Sequence, residues 1–211
     1  MSCSNLSSIS IPKCSYIDGA AFRGCSKLTN SCVQNILNTY KSYSTVINSR
    51  VFEHCREGIT SLNLTGYTSI SSYAFNYCVN LSSISIPNCS YIGSTAFGAC
   101  SKLASISFPN VEYIGSSAFN NCSSLKSISL PKCSYIGNGA FMRCSKLESV
   151  YVLSTSIPYL SFTGFSYTPL LVSSYLGRYG SIYVLSSMVA AFREAPGWRS
   201  YYGRITSYTG T

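Results

Sequence analysis

Between Leu81 and Leu147 apolar and polar positions recur with a fixed period. Leucines stand at 81, 103, 125 and 147, a spacing of 22 residues, which also separates Phe97, Phe119 and Phe141 and the cysteines at 78, 100, 122 and 144. A constant period of this length predicts a solenoid in which each repeat is one rung. Within a rung, Ile84-Ser85-Ile86 alternates apolar and polar, which predicts a short strand with both isoleucines on one face. Pro87 ends it by removing an amide donor. Such strands, stacked ~4.8 Å apart, make a parallel sheet. The chain is then expected to turn outward through Tyr91-Ile92-Gly93 and return through Ala96-Phe97, whose ring fills the far wall. Leu81, Ile84, Ile86, Cys89 and Tyr91 are the expected core positions. One rung cannot bury them, but three or more can. Each buried Leu, Ile or Phe contributes roughly 1.5–3 kcal/mol.

Residues 1–211 read as one solenoid. The first unit, 3–28, places Leu6, Ile9, Ile11, Cys14, Tyr16, Phe22, Cys25 and Leu28 at core positions. Residues 29–58 are irregular: Leu28 to Phe52 spans 24 residues where Leu81 to Phe97 spans 16, so eight are extra. There Val33, Ile36, Leu37 and Tyr40 fall at helical spacing behind a Ser31 cap, predicting a short amphipathic helix that replaces or follows a strand. Residues 59–152 carry the regular repeats. Residues 153–181 form a degenerate repeat with Ile157, Phe162 and Phe165 as core-like positions and a tyrosine-rich tract at Tyr159, Tyr167, Tyr175 and Tyr179. Residues 182–211 read as a cap: a strand at Ser181–Val184, a helix from a Ser186 cap to Glu194 stopped by Pro196-Gly197, then Trp198, Tyr201, Tyr202 and Ile205 folding back over the open end.

The unit Ile-Pro-x-x-x-x-Ile-Gly-x-x-Ala-Phe-x-x-Cys resembles the repeat of the BspA-like leucine-rich repeat family. The motif stands at Ile84–Cys100, Ile106–Cys122 and Ile128–Cys144, with incomplete copies at Ile9–Cys25 and Leu62–Cys78. The resemblance covers most of residues 3–150. It implies short parallel strands on a concave face, turns and short helices on the convex side, and a C-terminal strand-helix cap. It further implies a bacterial surface or adhesion repeat used for binding rather than catalysis, and it leaves the ligand open.

Composition narrows the partners. Only 10% of the residues are charged, so solubility rests on Ser, Thr, Asn and Tyr. The net charge is +9, but Lys102, Lys126 and Lys146 fall on successive rungs, with Lys13 and Lys132 just after strands. Nucleic-acid binders gather such charge on one face, so this spread argues against nucleic acid. A diffuse positive surface suits acidic glycans or anionic cell walls. The eleven cysteines follow the repeat: Cys78, Cys100, Cys122 and Cys144 share one slot, and Cys14, Cys89 and Cys133 another that Val111 fills once. They are expected to be structural thiols, which favour a reducing or anaerobic setting. Disulfides and metal binding remain the alternatives, although no C-x2-C cluster exists and His54 is the only histidine.

No secretory signal is visible, since Met1-Ser2-Cys3 runs straight into Leu6-Ser7-Ser8-Ile9, and no apolar run reaches the ~18 residues a membrane span needs. No polar cap precedes the first rung. An excerpt of a longer chain, or a partner packed end to end, is therefore expected there.

Catalysis has little to draw on. His54 and Cys55 are adjacent, but sequence neighbours do not make a nucleophile–base pair. Asp18, Glu53, Glu57, Glu112, Glu148 and Glu194 fall into no acid/base couple, and Gly93, Gly115 and Gly137 recur as turns. No enzyme activity, cofactor or metal is expected. The candidate site is instead the outward row of the sheet: Ser61, Asn63, Ser83, Ser85, Ser105, Ser107, Ser127 and Ser129, ending at an aromatic platform of Tyr151 and Tyr183. Small hydroxyls also suit crowded parallel strands, so the row is equally a plain hydrophilic face. The function expected is a non-catalytic adhesion module for a protein or glycan at a cell surface. The alternatives are a structural or assembly element of a larger bacterial surface protein or phage particle, and an intracellular partner-binding scaffold.

Overall fold

The structure, a computed structural model, describes residues 3–171 and 179–210. Tyr175 of the tyrosine-rich tract lies outside them. The chain winds into a leucine-rich repeat solenoid with three walls per rung. One wall is a seven-stranded parallel sheet running β2 (Ser61–Asn63), β4 (Ser83–Ser85), β6 (Ser105–Ile106), β8 (Ser127–Ser129), β10 (Ser149–Val152), β12 (Ser181–Val184) and β13 (Ile205–Ser207). Ile84 pairs with Leu62 on one side and Ile106 on the other, so like residues stand above like.

The second wall departs from expectation. Tyr91-Ile92 is a strand rather than a turn. With its counterparts it forms a six-stranded parallel sheet of β1 (Val46–Ile47), β3 (Ser69–Ile70), β5 (Tyr91–Ile92), β7 (Tyr113–Ile114), β9 (Tyr135–Ile136) and β11 (Tyr159–Leu160). The strand's alternation decides which residue is core. Ile92 is fully buried and Tyr91 is 41% exposed, as Ile17 is buried and Tyr16 is 68% exposed. Neither tyrosine is a core residue, because the bulky apolar isoleucine beside it takes the inward slot.

The third wall is a ladder of tight turns carrying the phenylalanine column. Phe22, Phe52, Phe75, Phe97, Phe119, Phe141 and Phe165 stack in sequence with ring centroids 5.2 to 5.6 Å apart. Backbone bonds hold the rungs at that spacing: Phe75 N–H donates to the Ala96 carbonyl (2.8 Å), Phe97 to Ala118 (2.8 Å) and Phe119 to Ala140 (2.7 Å). Two residues per turn adopt left-handed backbone, among them Thr95 (φ 59°), Ala99 (φ 57°), Ser117 (φ 56°) and Asn121 (φ 66°). For a non-glycine residue this costs roughly 1–2 kcal/mol. It is offset because their amides also reach the next rung, Thr95 to Ser116 and Ala99 to Asn120.

The extra residues of the second unit form α1 (Asn30–Tyr40), with Cys32, Val33, Ile36, Leu37 and Tyr40 buried. Its cap is Thr29, whose hydroxyl accepts from Cys32 N–H, rather than Ser31. The helix stands where a strand of the first sheet would lie. Its Asn30 Oδ1 accepts from Ser61 N–H (2.9 Å), while Gln34 accepts from Asn63 N–H (2.9 Å) and donates to the Asn63 carbonyl (2.8 Å). Side-chain amides thus satisfy the edge of β2. The first unit lies beyond this plug: no strand forms between Leu6 and Ile11, and Ile9 is 39% exposed.

At the other end the cap contributes β13 and α2 (Val189–Glu194). Ser186 opens a short 3-10 turn (Ser186–Met188), and no side-chain cap bond forms there. Trp198 is fully buried, donates Nε1–H to the Pro158 carbonyl (2.7 Å) and lies over Phe165. Tyr201 is buried beside it, whereas Tyr202 is exposed. Phe162 is 78% exposed because it lies in the turn after β11, at the position that the exposed Asn138 holds one rung earlier, rather than in an inward strand slot.

Two glycine contrasts test this geometry. A Cβ on Gly115 would lie 2.6 Å from the Ser94 nitrogen, so Gly115→Ala should cost about 1–3 kcal/mol. Thr95→Gly relieves a β-branched residue in left-handed backbone and should stabilise by about 1 kcal/mol. Urea unfolding midpoints of the two variants moving in opposite directions is the expected outcome.

Candidate functional site

The outer face of the first sheet carries the predicted row. Ser61, Asn63, Ser83, Ser85, Ser105, Ser107, Ser127 and Ser129 are all exposed, because the inward alternates Leu62, Ile84, Ile106 and Ile128 are buried. Register brings Ser61, Ser83, Ser105 and Ser127 into one file. The small side chains leave a shallow hollow of about 550 Å³, walled by Ser83, Ser85, Ser105, Ser107 and Ser127 and edged by Pro87 and Pro109. Its floor shows the rims of Ile84 and Ile106, 7% and 8% exposed. Hydroxyls above an apolar floor can hydrogen-bond a chain while packing against its carbon face.

Tyr151 and Tyr183 come together at the C-terminal end of the same face. Register places them opposite each other on β10 and β12, and their rings stack at 4.8 Å and 12°. Tyr208, just after β13, packs edge-on against both at 5.8 and 6.4 Å. Tyr208 was not anticipated, since nothing in the repeat marks it.

A second aromatic file was also missed. Tyr91, Tyr113, Tyr135 and Tyr159 stack along the second sheet at 4.9, 4.7 and 5.1 Å. Their 22-residue recurrence was visible at 91, 113 and 135, but the pattern assigned that slot to the core. These rings cover one another, so they present edges and hydroxyls rather than faces.

The cysteines behave as repeat elements. All eleven are free. Cys55, Cys78, Cys100, Cys122 and Cys144 each donate S–H to a phenylalanine carbonyl of the preceding rung, at 3.1 to 3.3 Å. Cys14, Cys89 and Cys133 bond instead to the carbonyl two residues on. Burial pushes the thiols of Cys55, Cys100, Cys133 and Cys144 up to about 12 and that of Cys89 to about 11. The reactive form, the thiolate, is thereby suppressed. His54 does not engage Cys55: it stacks on Tyr77 at 4.7 Å, and its Nδ1 lies 3.1 Å from Arg56 Nη2. Among the described residues no three His, Cys, Asp or Glu side chains gather as metal ligands, and no helix is long and apolar enough to cross a membrane.

A second hollow, of about 680 Å³, opens on the turn wall of the first two rungs, bordered by Arg23, His54 and Arg56. Beneath it Glu53 is buried between Arg23 Nε (2.8 Å) and Arg50 Nη1 (3.1 Å), with Asn76 Nδ2 on its other oxygen (3.1 Å). The charge distribution expected from the lysines did not reveal this arginine cluster.

A family model described as BspA type Leucine rich repeat region matches the chain in six copies, over residues 1–87 and 45–172. Solved structures with similar chains include a leucine-rich repeat protein of T. pallidum, 29% identical at a TM-score of 0.45, covering 64% of this chain and 51% of its own. A leucine rich cell surface protein of Faecalibacterium prausnitzii is 18% identical at a TM-score of 0.42, covering 92% and 69%. A leucine-rich repeat protein of Bacteroides ovatus is 18% identical at 0.41, covering 80% and 58%. The chain spans about half the length of the T. pallidum protein. None of the curated proteins matches it.

The buried thiols set an alkaline limit. A group whose folded pKa is raised contributes stability that is complete below its unfolded value and is lost as pH climbs toward the folded one. With unfolded thiols near 9 and folded ones at about 11 to 12, the urea midpoint should hold from pH 6 to 8 and fall steadily above pH 9. Native-state labelling with a thiol reagent should reach the exposed Cys3 while Cys78, Cys100, Cys122 and Cys144 react only on unfolding.

Proposed function

We propose, from the premise that this chain belongs to the BspA-type leucine-rich repeat family, that it is an adhesion module: it recognises a protein or glycan at a cell surface through the outer face of the seven-stranded sheet. A solenoid of this family is a binding scaffold. What carries the finer reading is the continuity of one face. The serine-walled hollow lies on the same sheet surface as the stacked pair Tyr151–Tyr183. Tyrosines supply the large, rigid contact area typical of binding hot spots, and the small hydroxyls let an extended chain lie close to the sheet. Hydrogen bonds from Ser83, Ser105 and Ser127 would repeat at the rung spacing, which suits a ligand that is itself periodic.

A glycan and extracellular-matrix array with the purified chain identifies the ligand class. Against the best ligand so found, Tyr151→Ala combined with Tyr183→Ala should weaken attachment at least tenfold with the fold intact by circular dichroism. Ser107→Arg, which fills the hollow without touching the tyrosines, should do likewise. Full binding by both variants would move the site off this face.

A further inference from the structure

The hollow on the turn wall has the chemistry of a site in its own right. Arg23 and Arg56 border it with His54, and the rest of its wall comes from small residues such as Ala20, Ala21 and Ser26. No carboxylate lines it among the described residues. Glu53, buried below, is one negative charge shared by two guanidinium groups, Arg23 and Arg50, so the cluster stays cationic before Arg56 is counted. Both bordering arginines are held in place. The Nε of Arg23 is fixed 2.8 Å from Glu53, whose other oxygen is held by Asn76. Arg56 lies 3.1 Å from His54 Nδ1, with its guanidinium 5.6 Å from the Tyr77 ring centre, and Tyr77 is in turn stacked on His54. A guanidinium held this way loses less freedom when it binds, and its paired N–H groups match the oxygens of a phosphate or sulfate.

We propose that this hollow is an oxyanion site, taking a phosphate or sulfate group between Arg23 and Arg56, with Glu53 and Tyr77 as positioning residues. The inference does not rest on the serine-face reading. His54 senses the same field: burial lowers its pKa, Glu53 opposes that, and Arg56 and Arg23 lower it further. A bound anion reverses the arginines' contribution, so the imidazole becomes the reporter.

Because His54 is the only histidine, its ring protons can be followed by NMR without ambiguity. Inorganic phosphate and inorganic sulfate are titrated separately at constant ionic strength set with chloride, and the two arms show which group the site takes. A saturable shift with either anion, and a His54 pKa raised by at least about half a unit at saturation, is expected. Arg56→Gln, which leaves the Glu53 cluster untouched, should weaken that anion at least fivefold. Arg143→Gln removes an equal charge from the same wall, over Tyr167, and should change affinity less than twofold. A linear drift with both anions, or equal losses in the two variants, would overturn the proposal.

Discussion

Everything in this solenoid depends on backbone hydrogen bonds that run along the axis from one coil to the next. Alternate turn amides close within their own rung, such as Cys78 to the Phe75 carbonyl. The strand amides and the remaining turn amides have no acceptor there and need a neighbour of matching length and register. The 22-residue period is the outcome. It brings the Gly93 amide and the turn amides of Thr95, Phe97 and Ala99 opposite acceptors on adjacent coils, and the Ile92 carbonyl opposite the Gly115 amide. Stacked phenylalanines, buried thiols and left-handed turn residues are what this spacing permits. Gly93, Gly115 and Gly137 are what it demands, because a Cβ at any of them would lie 2.6 to 2.7 Å from a backbone nitrogen one coil below.

The same constraint explains how the ladder stops. On the first sheet, Asn30 and Gln34 present amides to β2 as a strand would. Asn30 and Gln34 lie four residues apart, one turn of α1, so both can reach the same edge. On the turn wall, Phe165 N–H would need a carbonyl from a further rung, and the Tyr201 hydroxyl accepts it at 3.3 Å. Trp198 covers the phenyl column above it. Exposed sheet edges invite unwanted pairing, and here side chains close the first sheet's edge at β2 and the last Phe amide of the turn ladder.

The regular rungs were legible because several residue types repeat together. Periodicity located Ile84, Phe97 and Cys100 and their equivalents correctly, and it found the helix after Leu28 by its excess length. It failed where two neighbouring residues compete for one inward slot. Tyr91 and Ile92 are both large and both recur, and only the strand's direction chooses between them. It failed again where partners come from unequal positions in the repeat. Tyr208 joins Tyr151 and Tyr183 from outside the pattern, and Arg23 and Arg50 meet around Glu53 from two different units. Contacts that break translational symmetry leave no mark in a symmetric sequence.

The left-handed turn positions have a further consequence for how such a molecule can change. Sites with positive φ ordinarily confine a chain to glycine or asparagine. Here one such column holds His54, Tyr77, Ala99, Asn121, Arg143 and Tyr167 in turn, all with nearly the same backbone angle. Because the neighbouring coils dictate that angle, the side chain is released from conformational duty. This column works as a row of interchangeable letters on a fixed spine, where heredity can rewrite chemistry while leaving the architecture alone.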